Sequence, residues 1–234
     1  MVVIVIICNK ASRDVEFDSL NSLGAAYEFV QSMAFTISMM FVSGHAQAEY
    51  LGLPNARSAN PGVYPDFTVE FGFVTGDLGS QDYQNIAARV NYRLSDHTVL
   101  FGTVGISEFG IGDANPIGAG LFYFLSNQRI ARSLDIAGKV SFHTGNYEVS
   151  NVDLDVTVIA FEALISNPTP ILNNGLSWYG NFGLHHLSED PGESDLEFGF
   201  GGGLYLPLGA GEAYFGADVV DQFTFGLGYR YFLK

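Results

Sequence analysis

The sequence predicts an all-β protein: a closed antiparallel transmembrane β-barrel of about ten strands, with eight as the fallback, apolar side outward. Three observations carry that prediction. From Asp66 onward, apolar residues recur at every second position in run after run, the period of a strand with two unlike faces. Each run is roughly 9–11 residues long, the length a tilted strand needs to cross a bilayer, whereas strands of soluble domains average about 5–6. The composition pairs 14% aromatic residues and 28 glycines with only 15% charged residues. The second face of the strands is then too glycine-rich and too sparsely charged to wet a surface of this size. Apolar-out fits lipid, where every backbone group must be paired.

The 234 residues divide into three parts. Residues 1–48 read as a helical signal or targeting segment. Its longest apolar stretch, Met33 to Val42, is shorter than the ~18 residues of a transmembrane helix. Ala46-Gln47-Ala48 places small residues at the two positions a signal peptidase reads, so cleavage is expected after Ala48. No Lys or Arg falls between Arg13 and Arg57, which leaves residues 1–31 as either a long n-region or an over-called start. Cleavage would remove Cys8, the single cysteine, and leave a thiol-free chain suited to an oxidising compartment. Residues 49–65 form an N-terminal extension, and residues 66–234 form the barrel.

Within the barrel, Phe67, Val69, Phe71 and Phe73 alternate with Thr68, Glu70 and Gly72. Ile86 through Leu94 alternate with Ala87, Arg89, Asn91 and Arg93. His97 to Ser107 is apolar or small on both faces and assigns no side. Ile117 to Leu125 and Leu134 to Phe142 follow, the latter against Asp135 and Lys139. Leu154, Val156, Val158 and Ala160 read as the outward face of the next strand, which turns Asp153 and Asp155 inward. Trp178 to Leu184, Leu196 to Leu206, Ala213 to Ala217 and Phe223 to Leu233 complete the set. Trp178, Tyr179, Tyr229 and Tyr231 are expected at one membrane edge, as an aromatic girdle.

Short connections at 95–96, 126–128 and 207–211, with a longer member at 167–175, alternate with acidic ones at 77–82, 108–115, 145–151, 188–195 and 220–221. The acidic set holds ten carboxylates and no Lys or Arg. With an even strand count it lies at the end away from the termini. The net charge of −15 excludes a nucleic-acid partner, and the mean hydropathy of +0.19 excludes disorder.

This architecture resembles the small bacterial outer-membrane β-barrels of the OmpX, OmpA-barrel and Opa kind, over residues 66–232. One local signature adds to it. Thr224-Phe225-Gly226-Leu227-Gly228-Tyr229-Arg230-Tyr231 matches the polar-x-Gly-x-x-apolar-x-apolar spacing of the last strand in such proteins. The tail Phe232-Leu233-Lys234 departs from it, since the family usually ends on an aromatic residue. The resemblance implies a Gram-negative cell outer membrane, reached after signal cleavage near Ala48. It also implies contact with membrane lipid and lipopolysaccharide, and a barrel-assembly machinery that takes up Thr224, Gly226, Tyr229 and Tyr231.

The inward face is expected to carry Glu70, Arg89, Asn91, Arg93, Asp135, Lys139, Asp153, Asp155, Glu197, Asp218 and Arg230. Buried charges are costly unless paired or wet. Both signs are present, so one reading is an ion-pair and water network that plugs a narrow lumen, favoured because eight to ten strands enclose little space. The other is a narrow, porin-like pore for small solutes, with Arg89, Arg93, Lys139 and Arg230 facing an acidic wall. The expected function is therefore a non-enzymatic envelope role: structural, surface-interacting or a narrow pore. Two other classes stand beside it. His186 and Ser188 form a His-x-Ser pair similar to that of the lipid A deacylases, in which His activates a Ser nucleophile. Glu189 follows where that family has Asn, and a rim histidine pair is the plainer explanation. The third class is a secreted soluble β-barrel that binds a ligand on its loops. No cofactor is expected. Glu189, Asp190, Glu193 and Asp195 supply four carboxylates on a tight turn, weak candidates for a divalent cation because their spacing is not that of an EF-hand. A solvated rim and a cation bridge to lipopolysaccharide phosphates account for them equally.

Overall fold

Strands with one apolar and one small or polar face bury backbone and sort side chains best when the sheet closes on itself. The computed structural model describes residues 52–78, 81–109, 112–125, 134–149, 152–167, 170–190, 192, 194–220 and 222–233. The signal-like segment 1–48, with the cleavage position at Ala48, lies outside the described residues. The strands are β1 (Phe67–Leu78), β2 (Gln81–Ser95), β3 (Thr98–Phe109), β4 (Gly112–Ala114), β5 (Ile117–Phe124), β6 (Asp135–Val149), β7 (Val152–Ser166), β8 (Ser177–Asp190), β9 (Ser194–Leu208), β10 (Gly211–Val220) and β11 (Gln222–Leu233).

Every pairing is antiparallel, and the ring is closed. β11 pairs with β1 from Phe67↔Leu233 to Gly76↔Thr224, and β2 pairs with β3 on the other side of β1. β4 and β5 occupy one stave between β3 and β6, so eleven strands make ten staves. The break falls at Asn115-Pro116, where proline lacks the amide a ladder needs. The Pro116 carbonyl still accepts from the Gly105 amide at 2.9 Å.

The unbroken strands run 10–15 residues, longer than the predicted 9–11. The acidic segments expected as loops are largely strand ends, joined by tight hairpins. Asp82, Glu108, Asp113, Glu189, Asp190 and Asp195 therefore stand beyond the apolar band on continued strand. The outer face carries an apolar band: Phe71, Ile86, Val104, Ile106, Phe161, Phe198, Phe215 and Leu227 are all exposed. Along β11 the band runs from Phe223 to Leu233, about 33 Å of strand at ~3.3 Å per residue, or about 25 Å of height at a tilt near 40°. That matches the hydrocarbon band of a transmembrane barrel.

Parity assigns one strand the sequence left open and reverses another. In β3, Val99, Phe101, Thr103 and Ser107 are buried while Leu100, Val104 and Ile106 are exposed. In β7 the predicted sides are reversed. Val156, Val158, Ala160 and Leu164 are buried inside and Phe161 is exposed, which turns Asp155 outward. Both faces of β7 are apolar, so Asp153 and Asp155 misassigned it. Asp155 lies near the rim, where an outward charge meets water, and the side chain of Asp153 lies outside the described residues. Asp155 is exposed and accepts from Asn146 Nδ2 at 2.7 Å. Tyr179 is likewise corrected: it is buried inside the barrel, whereas Trp178, Tyr229 and Tyr231 face outward at that edge.

Candidate functional site

The lumen is where charge and burial meet. Arg89, Arg230 and Glu70 are fully buried at 0% exposure, as are Arg57 at 1% and Lys139 at 2%. Charges at that depth persist only when partners replace water. β1, β2, β10 and β11 bring the partners together by register: Glu70 sits opposite Arg89 on one side and Arg230 on the other, and Arg230 sits opposite Glu212. Arg230 Nε lies 3.0 Å from Glu70 Oε1, and its Nη1 is paired with Glu212. Arg89 Nη1 lies 3.7 Å from Glu70 Oε2, and Asn91 Nδ2 donates to Glu70 Oε1 at 2.7 Å. Across the lumen, Lys139 Nζ donates to Glu162 Oε2 at 2.6 Å.

The remaining partners come from the extension. Residues 52–64 lie against the inside of the barrel: 52–59, Pro61 and Tyr64 are buried, and Gly62 and Val63 are exposed. Arg89 donates through Nη2 to the Leu53 carbonyl at 2.6 Å and through Nη1 to the Pro54 carbonyl at 3.3 Å. Arg230 Nη2 donates to the Ala56 carbonyl at 3.0 Å. Asn55 Nδ2 donates to Glu162 Oε1 at 2.8 Å, an oxygen that also accepts from Asn181 at 3.0 Å. Arg57 donates to Asn91 Oδ1 at 3.2 Å, and its guanidinium lies over Phe122 at 4.5 Å, Tyr64 at 4.9 Å and Phe124 at 5.7 Å. Ser166 Oγ accepts from the Ala59 amide at 2.8 Å. Tyr64 takes the Ser58 amide at 2.7 Å and donates to Glu212 at 3.1 Å. The short helical turn Pro61–Val63, capped by Asn60, then carries the chain out to β1.

The inner glycines make room for these groups. A Cβ built on Gly226 would lie 2.7 Å from Pro54 Cγ, and one on Gly72 would lie 2.8 Å from Leu53 Cδ2. The Tyr214 ring lies across Gly228, and Tyr179 reaches over Gly216. The wall of β1, β10 and β11 is therefore flat so that two tyrosines and the extension can lie against it.

Of the residues predicted to face the lumen, Glu70, Arg89, Asn91, Lys139 and Arg230 meet in this network. Arg93 closes its lower end, donating to the Pro61 carbonyl at 2.7 Å. Asp135 and Glu197 take inward positions at opposite ends, Glu197 opposite His185. Asp155 is the exception noted above. Thr224 and Gly226 face inward, and Tyr229 and Tyr231 outward. His186 and Ser188 lie on the outer face of β8, with Glu197 on the other side of the sheet. Glu189, Asp190 and Asp195 gather at the β8–β9 hairpin, whereas Glu193 lies outside the described residues. No metal-holding group of acids and histidines occurs among the described residues. Sequence reasoning missed Glu162, Glu212, Arg57 and the whole of residues 52–64. Glu162 carried a signal: it is the single charge at the centre of β7, and its parity gives the inward face correctly.

No protein-family model and no curated protein matches the chain. Among solved structures it is similar to the β domain of the Bordetella autotransporter BrkA, at 10% identity and a TM-score of 0.44, over 71% of this chain and 98% of that one. It is also similar to a KdgM porin in complex with disordered oligogalacturonate, at 12% identity and a TM-score of 0.41, over 71% and 99%. A bacterial polysaccharide outer membrane secretin gives 9% identity and a TM-score of 0.42, with the chain spanning 66% of that structure's length. Likenesses this distant add nothing to what the coordinates show directly: a closed ten-stave antiparallel barrel, apolar outside, charged inside and filled by its own extension.

Proposed function

We propose that the protein is a Gram-negative outer-membrane barrel with a non-enzymatic envelope role, structural or surface-interacting, and closed to solutes in its resting form. The observation that carries this reading is the occupied lumen. Residues 52–64 stand where a solute would pass, and Arg89, Arg230, Asn91, Glu162 and Ser166 all hold them. The apolar outer band supports a bilayer as the barrel's surroundings. In this reading the acidic rim meets lipopolysaccharide phosphates through divalent cations, and assembly proceeds through the last strand, with Thr224, Gly226, Tyr229 and Tyr231 as its signal.

The test is fractionation followed by electrophoresis without and with boiling. A closed lipid barrel resists SDS until heated, so a heat-dependent shift in the outer-membrane fraction is expected, together with a silent planar bilayer. Recovery in the soluble fraction without a shift would overturn the location, and steady conductance would overturn the closed lumen.

A further inference from the structure

We propose that the lumen is a binding channel for an extended peptide, and that residues 52–64 are its resident and exchangeable ligand. The proposal rests on the membrane-barrel reading above and goes beyond it, because a filled barrel need not be an openable one. Four observations carry it. First, the ring of strands is complete without the segment. The β11–β1 and β2–β3 ladders close on each other, so withdrawal breaks no sheet pairing.

Second, the wall recognises peptide as such. Two buried guanidiniums read three carbonyls, at Leu53, Pro54 and Ala56, while Glu162 reads a carboxamide and Phe122, Phe124 and Asn91 read a guanidinium. The matching ligand class is an extended segment patterned Pro-Asn-Ala-Arg. Third, one side of the channel bears no side chains at Gly72, Gly216 and Gly226, where Leu53 and Pro54 lie. That surface offers no knob to lock the segment. Fourth, the fit leaves buried polar atoms without hydrogen bonds: Asn55 Oδ1, Arg57 Nε and Arg89 Nε. Water entering behind a departing segment would solvate all three, which lowers the cost of release.

A reversible lock tests this in the full chain. Ser58 Oγ and Ser166 Oγ are 3.5 Å apart, one on the segment and one on β7. Cysteines at both positions (S58C and S166C, with C8S to remove the native thiol) can tie the segment down. Adding Arg57→Ala removes its buried cation and the cation–π contacts with Phe122 and Phe124. In planar bilayers, where the parent is expected to be silent, the reduced protein is expected to show opening events at least about tenfold more frequent than the parent's background, a modest return for losing a desolvated cation–π cluster. Oxidation should silence it and reductant should restore it. A synthetic peptide of residues 52–64 should block the reduced form. Conductance indifferent to thiol state, whether silent throughout or open throughout, overturns the proposal, as does a peptide without effect. The heat-shift gel on the same samples separates the two readings, since a missing shift sinks the membrane barrel and a retained shift confines the failure to exchange. If R57A abolishes the shift, Asn55→Ala serves in its place.

Discussion

Replacing Arg230 with methionine removes the charge that joins barrel to segment while keeping most of the side chain's length. Its guanidinium serves Glu70 at 3.0 Å, Glu212, the Tyr64 hydroxyl at 3.3 Å and the Ala56 carbonyl at 3.0 Å. After the substitution Glu70 retains Asn91 at 2.7 Å and Arg89 at 3.7 Å, so it stays compensated. Glu212 retains the Tyr64 hydroxyl at 3.1 Å and no cation among its described partners. A carboxylate left that way in a closed lumen is the expensive outcome. Breaking a buried pair from one side costs about 3–5 kcal/mol. Adding Glu212→Gln removes the stranded charge, and the pair should couple by about 1–3 kcal/mol, leaving the double variant more stable than R230M. Urea unfolding in detergent micelles, followed through the single tryptophan, Trp178, reads both values. A loss below about 0.5 kcal/mol for R230M, in the range of an ordinary surface change, would refute the network. So would a double variant weaker than the single one.

Four further outcomes are expected. Leu227→Arg, on the outer face near the middle of the band, should destabilise the barrel by about 2–4 kcal/mol in lipid vesicles, against 0–1 kcal/mol for an arginine at the rim. Gly226→Ala should cost about 1–3 kcal/mol by overpacking, because the new Cβ would stand 2.7 Å from Pro54 Cγ and 3.0 Å from the Phe73 carbonyl. Asp155→Asn should change stability by less than about 0.5 kcal/mol, as befits an exposed outward carboxylate; a loss of several kcal/mol would return it to the lumen. Ser188→Ala should leave the lipid A and phospholipid profile of the host membrane unchanged, and accumulation of an acylated lipid in the variant would revive the hydrolase alternative.

The barrel was legible because its signal repeats. Nine runs of period two, each with glycine or charge opposite aromatic residues, admit few folds, and their parity already placed Glu70, Arg89 and Arg230 on one face. Legibility failed where a strand is apolar on both sides. In β7 the assignment rests on Asp153 and Asp155 and leaves Glu162 out, although a charge near a strand's end meets water on either face and only a central one reports the lumen. The extension was illegible for a different reason. Leu53-Pro54-Asn55-Ala56-Arg57-Ser58-Ala59 has no period at all, because its contacts are carbonyls read by distant arginines and side chains read one at a time. Its imprint on the sequence lies elsewhere, in Gly72, Gly216 and Gly226, whose missing side chains mark the place where it packs.

The central claim is that one chain forms both the bilayer-facing barrel and the filling of its lumen. A single NOESY experiment on the full-length protein in lipid nanodiscs tests both halves. The account predicts contacts from the Leu53 methyls to Gly72 and from the Pro54 ring to Gly226, alongside contacts from the Phe225 and Leu227 side chains to lipid acyl chains. Narrow, random-coil signals for Leu53 and Pro54 without those contacts, or acyl contacts to Leu53 in place of Leu227, would contradict it.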